Sequence, residues 1–135
     1  MIDDPQIPLT SIHRIEADGV SIFYRQSGPA DAPVVLLLHG CPTSSFQYRE
    51  LTPRLADRYR VIAPDLPGFG FTTVPEERRY KYTFDSLAQT MLAFTNALNL
   101  SKYAMYVFDW LPLICLSDAA SGASNGDRVA KWQRV

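Results

Sequence analysis

Val34-Val35-Leu36-Leu37-Leu38-His39-Gly40-Cys41-Pro42 is the stretch that decides how this chain folds. Its opening apolar run, all Val and Leu, reads as a strand buried on both faces of a sheet. Gly40 and Pro42 end it at once, since glycine opens backbone conformations closed to other residues and proline removes an amide donor. Thr43-Ser44-Ser45-Phe46-Gln47 then reads as a helix start, with Ser44 and Gln47 at capping-box spacing. The stretch predicts a tight turn with amides left free beside a helix N-terminus, a place where an anionic oxygen can be held.

Upstream of this strand, Met1 to Leu9 is polar and Pro-interrupted, a lead-in. Ser11 to Glu16 and Val20 to Arg25 are short strands around an Ala17-Asp18-Gly19 turn, an antiparallel hairpin. Downstream, a helix from about Ser45 to Leu55 puts Tyr48, Leu51 and Leu55 on one face, with Pro53 shortening or kinking it. Arg60 to Asp65 is a second buried strand, ending on the turn-rich Leu66-Pro67-Gly68-Phe69-Gly70-Phe71. Thr83 caps a helix whose apolar stripe runs Phe84, Leu87, Ala88, Met91, Leu92, Thr95 and Leu98, a core face. Tyr103 to Phe108 is a third buried strand, ending on Asp109.

The chain has 135 residues, enough for one domain with its own core and too few for two. A net charge of -1 argues against a nucleic-acid partner. Cys41 and Cys115 lack metal-ligand spacing and make no disulfide framework, so neither a metal nor a cofactor is expected, and the expected setting is reduced and cytoplasmic. Asp3-Asp4-Pro5 near the start is unlike a signal peptide, and no apolar run reaches membrane-spanning length, so no membrane partner is expected.

Strands alternating with helices after a leading hairpin predict a mixed α/β sheet with a parallel core. Ligands of such sheets sit beyond the carboxyl ends of the strands, where His39-Gly40-Cys41, Asp65 and Asp109 would converge. His-Gly-x-Pro after the third strand, Pro64-Asp65-Leu66-Pro67-Gly68-Phe69-Gly70 after the fourth and an acid after the fifth together resemble an α/β-hydrolase. More narrowly, they resemble its epoxide hydrolase and haloalkane dehalogenase branch, over about residues 12–110. The resemblance implies the N-terminal half of an α/β-hydrolase sheet: an antiparallel hairpin followed by parallel strands with crossover helices.

It also implies a chemistry and a small-molecule substrate, an epoxide or alkyl halide. Asp109 would sit on the nucleophile elbow and attack the electrophilic carbon, forming an ester that a His-activated water then cleaves. Backbone amides of Cys41 and Trp110 would hold the oxyanion. His39, Gly40 and Pro42 would shape the turn, and Asp65 would fix the turn after its own strand. Cys41 departs from the branch, where Asn is general in haloalkane dehalogenases and Phe common in epoxide hydrolases. Its amide can still serve.

Other departures are larger. An elbow needs a small residue two positions after the nucleophile, yet Leu111 stands there, followed by Pro112. From Leu111 to Val135 a helix breaker recurs every few residues. These residues read as an atypical tail, disordered or translated in a shifted frame, behind a partial domain over residues 1–110. His13 and His39 are the only histidines. One belongs to the hairpin and the other to the turn, so the general base and the second acid are missing and the chain is expected to be truncated and inactive. A non-catalytic fragment or small binding module on the same half-sheet is the alternative.

Overall fold

A computed structural model describes residues 8–108. Asp109, Trp110 and the tail from residue 111 lie outside the described residues. Five strands form one sheet: β1 (Ser11–Ala17), β2 (Val20–Ser27), β3 (Val34–Leu38), β4 (Arg60–Pro64) and β5 (Tyr103–Val107). Their spatial order is β1-β2-β4-β3-β5. β1 and β2 pair antiparallel, β4 is antiparallel to β2, and β3 runs parallel to both β4 and β5. The predicted hairpin and parallel core are both present.

The hairpin closes through Asp18 and Gly19, whose φ values of 52° and 69° are the left-handed pair that a two-residue type I′ loop needs. The Asp18 carboxylate then ties the loop to the rest of the domain. It accepts from Arg78 at 3.0 Å and from the Thr90 hydroxyl at 2.7 Å. Thr90 lies in α2 (Phe84–Ala97), which covers one face of the sheet.

β3 is covered on both faces. Leu36 and Leu38 join the core shared with Met91 and Phe94 of α2, while Leu37 joins Tyr48, Ala56, Val61 and Ala63 on the opposite side. α1 (Leu51–Leu55) packs on that second side through Leu51 and Leu55. With β4 and β5 on opposite sides of β3, the strand order reverses at the carboxyl end of β3, the kind of position where α/β sheets bind ligands.

Two expectations about the helices are corrected. The segment from Ser45 to Leu55 is not one helix: a 3₁₀ turn (Ser45–Tyr48) precedes α1. Pro53 stands in the first turn of α1, where its missing N–H deprives the helix of no bond. In α2 the buried side chains are Ala88, Thr90, Met91, Phe94 and Thr95, with Leu87 and Leu98 half-buried beside them, so Ala88, Met91 and Thr95 of the predicted stripe are buried while its first member is not. Phe94, absent from the predicted stripe, is the largest fully buried side chain among the described residues, whereas Phe84 in the first turn is 44% exposed. Thr83 caps α2 as predicted, accepting from the Ser86 amide. Among the described residues no helix is long and apolar enough to cross a membrane.

Candidate active site

The site grows from the end of β3. The Leu38 carbonyl accepts from the Tyr48 hydroxyl at 2.6 Å and from the Phe108 amide at 3.2 Å. Burial pushes the Tyr48 phenol well above its ordinary range, so it stays protonated and remains a donor. One carbonyl thus gathers the 3₁₀ turn after β3 and the last described residue after β5.

His39 is fully buried and both of its ring nitrogens are used. The Leu66 amide donates to Nε2 at 3.0 Å, and an amide can only donate, so Nε2 carries no proton. Nδ1–H then donates to the Gly40 carbonyl at 2.8 Å. The ring is a neutral strut between two strand-end loops, with no nitrogen left to activate water. Burial lowers its pKa from 6.5, opposed in part by the Gly40 bond and the Asp65 charge. The unfolded chain therefore binds a proton more readily, and His39's contribution to stability is present above pH 6.5 and lost as pH falls below it. Urea midpoints at pH 5 and 7.5 should differ more in the native chain than in His39→Gln; an equal difference would contradict this sign.

Asp65 is fully buried and bridges the same loops. Oδ1 accepts from the Ser45 amide at 2.7 Å and Oδ2 from the Phe71 amide at 2.8 Å. Thr72 braces it, donating from its hydroxyl to the Asp65 carbonyl at 2.6 Å and accepting from the Phe23 amide at 3.0 Å. Gly70 closes against the carboxylate with φ of 52°, and a Cβ there would fall on Asp65 Oδ2. The carboxylate thereby ties the turn after β3 to the turn after β4.

Around Gly40 the capping expectation is half right. Ser44 caps the 3₁₀ turn through the Phe46 amide, but Gln47 does not reach back to Ser44. Its Oε1 lies 3.3 Å from the Gly40 amide and 2.6 Å from the Thr43 hydroxyl. The tight turn brings this side chain nearer to residue 40 than to its own cap. The Gly40 amide is therefore taken, Thr43 donates its amide to the Gly40 carbonyl, and Ser45 serves Asp65. Among the described residues the Cys41 and Ser44 amides meet no acceptor. Cys41, which directly follows Gly40 and has an exposed side chain, is the nearer to the end of β3.

An open cleft of about 430 Å³ lies beside this turn, lined by Pro42, Thr43, Phe46, Gln47, Arg49 and Gly70 among others. Among the described residues no group of acids, histidines or cysteines is placed to hold a metal ion. The model of the alpha/beta hydrolase fold family matches residues 33–115. The chain belongs to the α/β-hydrolase family. Within it, an uncharacterised hydrolase of Saccharomyces cerevisiae is 48% identical over 103 residues, 76% of this chain and 35% of that protein. A haloalkane dehalogenase of Mycobacterium marinum is 41% identical over 111 residues, 82% of this chain and 36% of that protein. A solved haloalkane dehalogenase loop variant from Bradyrhizobium elkanii superimposes with a TM-score of 0.74 at 34% identity, over 79% of this chain and 34% of that one. This α/β-hydrolase chain resembles haloalkane dehalogenases and spans just over a third of the length of the curated relatives it matches.

The structure brings His39, Gly40, Cys41, Pro42 and Asp65 together, while Asp109 and Trp110 lie outside the described residues. Sequence reading missed Thr43, Thr72 and the true partner of Gln47. It also missed Arg25, which bonds Ser45 Oγ at 3.0 Å and stacks between the rings of Phe23 and Phe46. Polar residues flanking a strand-end turn were the available signal. Nothing in one-dimensional spacing says which backbone group each would meet.

Proposed function

We propose that this chain carries the N-terminal part of a hydrolase acting through an aspartyl ester on an alkyl halide or epoxide. One observation carries the reading: the Phe108 amide bonds the Leu38 carbonyl, one residue before His39. That bond brings the last described residue after β5 to the end of β3, beside the turn that carries the Cys41 amide, and Asp109 is the next residue in the sequence. A carboxylate oxygen of Asp109 would attack the carbon; the carbon–halogen bond breaks and the halide leaves with its electron pair. For an epoxide the ring C–O bond opens instead, and the alkoxide takes a proton from water. Cleavage of the resulting ester passes through an oxyanion for which the amides of Cys41 and Trp110 would be the donors.

Cleavage also needs a base, and neither histidine can supply it. His39 is engaged at both nitrogens. His13 stands on β1, at the opposite edge of the sheet from β5. Four strand spacings separate those edges, roughly 19 Å. Ester should therefore form and persist, so that reaction stops after about one equivalent per chain. An exposed free thiol at Cys41 fits the reducing, cytoplasmic setting proposed for the chain.

Mass spectrometry after incubation with 1,2-dibromoethane tests the scheme. The expected product is a single bromoethyl adduct mapped to Asp109, absent in Asp109→Asn, with bromide release levelling at about one equivalent per chain. No adduct at Asp109 would sink the nucleophile reading in favour of the binding module. Sustained bromide release would overturn the claim that this chain lacks its base.

A further inference from the structure

The Gly40–Cys41 peptide is held on one side only. Its carbonyl accepts from His39 Nδ1 at 2.8 Å, from the Thr43 amide at 3.1 Å and from the Thr43 hydroxyl at 2.8 Å. This peptide is trans, so its N–H, which is the Cys41 amide, points away from that carbonyl and toward no described acceptor. The preceding amide, that of Gly40, is captured by Gln47 Oε1. The atom facing it must be oxygen, because the Gly40 N–H only donates, and this fixes the carboxamide orientation. The same Oε1 shares the Thr43 hydroxyl proton with the Gly40 carbonyl.

We propose that Gln47, acting through Thr43 and Gly40, is a positioning residue that aims the Cys41 amide at the oxyanion, an inference that rests on the oxyanion reading of this turn. Gln47 holds the peptide before Gly40 by its N–H, and Thr43 holds the peptide after it by its C=O. With both planes of residue 40 pinned, the Cys41 N–H has one direction. Donors on the carbonyl also polarise the peptide and strengthen the N–H at its other end. Gln47 does not touch the reacting atoms; it sets the geometry of the group that does.

The test titrates the full 15N-labelled chain with sodium bromide, following the Cys41 amide, and measures hydrogen exchange at Gly40. The native chain should show a saturable Cys41 shift. Gln47→Leu keeps the size and removes the acceptor, so bromide should bind about tenfold more weakly and Gly40 exchange about tenfold faster. Gln47→Glu restores an acceptor oxygen and should bring Gly40 exchange, the rescue readout, back to within about threefold of native, while its added negative charge opposes bromide. Rescue by Glu separates positioning from simple packing. Unchanged bromide affinity in Gln47→Leu overturns the proposal, as does failure of Gln47→Glu to rescue. If Gln47→Leu fails to fold, Thr43→Val decides, native affinity again overturning it. A native chain whose Cys41 amide ignores bromide defeats the oxyanion reading itself; the Gly40 exchange rates then report separately on the hold exerted by Gln47.

Discussion

Asp65→Asn is expected to lower stability by about 1 kcal/mol and Asp65→Ala by about 1–3 kcal/mol, because a buried amide left without an acceptor costs about 1–3 kcal/mol. The two oxygens of Asp65 serve the Ser45 and Phe71 amides, and Asp65 and Ser45 are both buried. Asparagine preserves the shape but turns an N–H₂ toward one of those donors, whereas alanine abandons both. Gly70, which lies against the carboxylate, carries no side chain to fill the gap. Urea midpoints with unchanged slope should fall in the order native, Asn, Ala. An Asn variant as stable as the native chain would show that the carboxylate is not what joins the two loops.

Phe94→Ala is the second large effect, at about 3–5 kcal/mol for a fully buried aromatic side chain. The ring meets Tyr24 edge-on at 5.3 Å and fills the core between α2 and the sheet. Domains of this kind are stable by about 5–15 kcal/mol in total, so this one truncation removes a large share. At about 4–8 °C per kcal/mol the melting temperature should drop by more than about 12 °C. A shift of a few degrees would mean that α2 is not the helix that closes this face. Phe84→Ala, at a 44% exposed site on the same helix, is the control and should be close to neutral.

The contrast between Phe84 and Phe94 shows how far sequence reading reaches. Helical spacing identified α2, its cap and most of its core face, but took in the exposed Phe84 and left out the buried Phe94. A 3.6-residue period admits two neighbouring lines, and only the sheet selects between them. The turn after β3 shows the same limit. Ser44 and Gln47 have capping-box spacing, and Ser44 does cap, yet Gln47 turns to Gly40 instead. A carboxamide bonds whichever donor the folded backbone brings closest.

By itself the sequence determined the five strands and their order along the chain, the capped helix α2, the hairpin turn at Ala17-Asp18-Gly19, the doubly covered strand Val34–Leu38 and the family. Each of these is written in local signals: apolar periodicity, residues that tolerate positive φ, and short motifs at strand ends. Only the tertiary structure decided that β4 inserts between β2 and β3, that Asp65 joins the Ser45 and Phe71 amides, and that the His39 ring joins the Leu66 amide to the Gly40 carbonyl. Those facts depend on groups far apart in the chain, Tyr24 and Pro64 being 40 residues apart and His39 and Leu66 27. They meet because parallel strands bring their carboxyl ends to one edge, a pairing that no local pattern encodes.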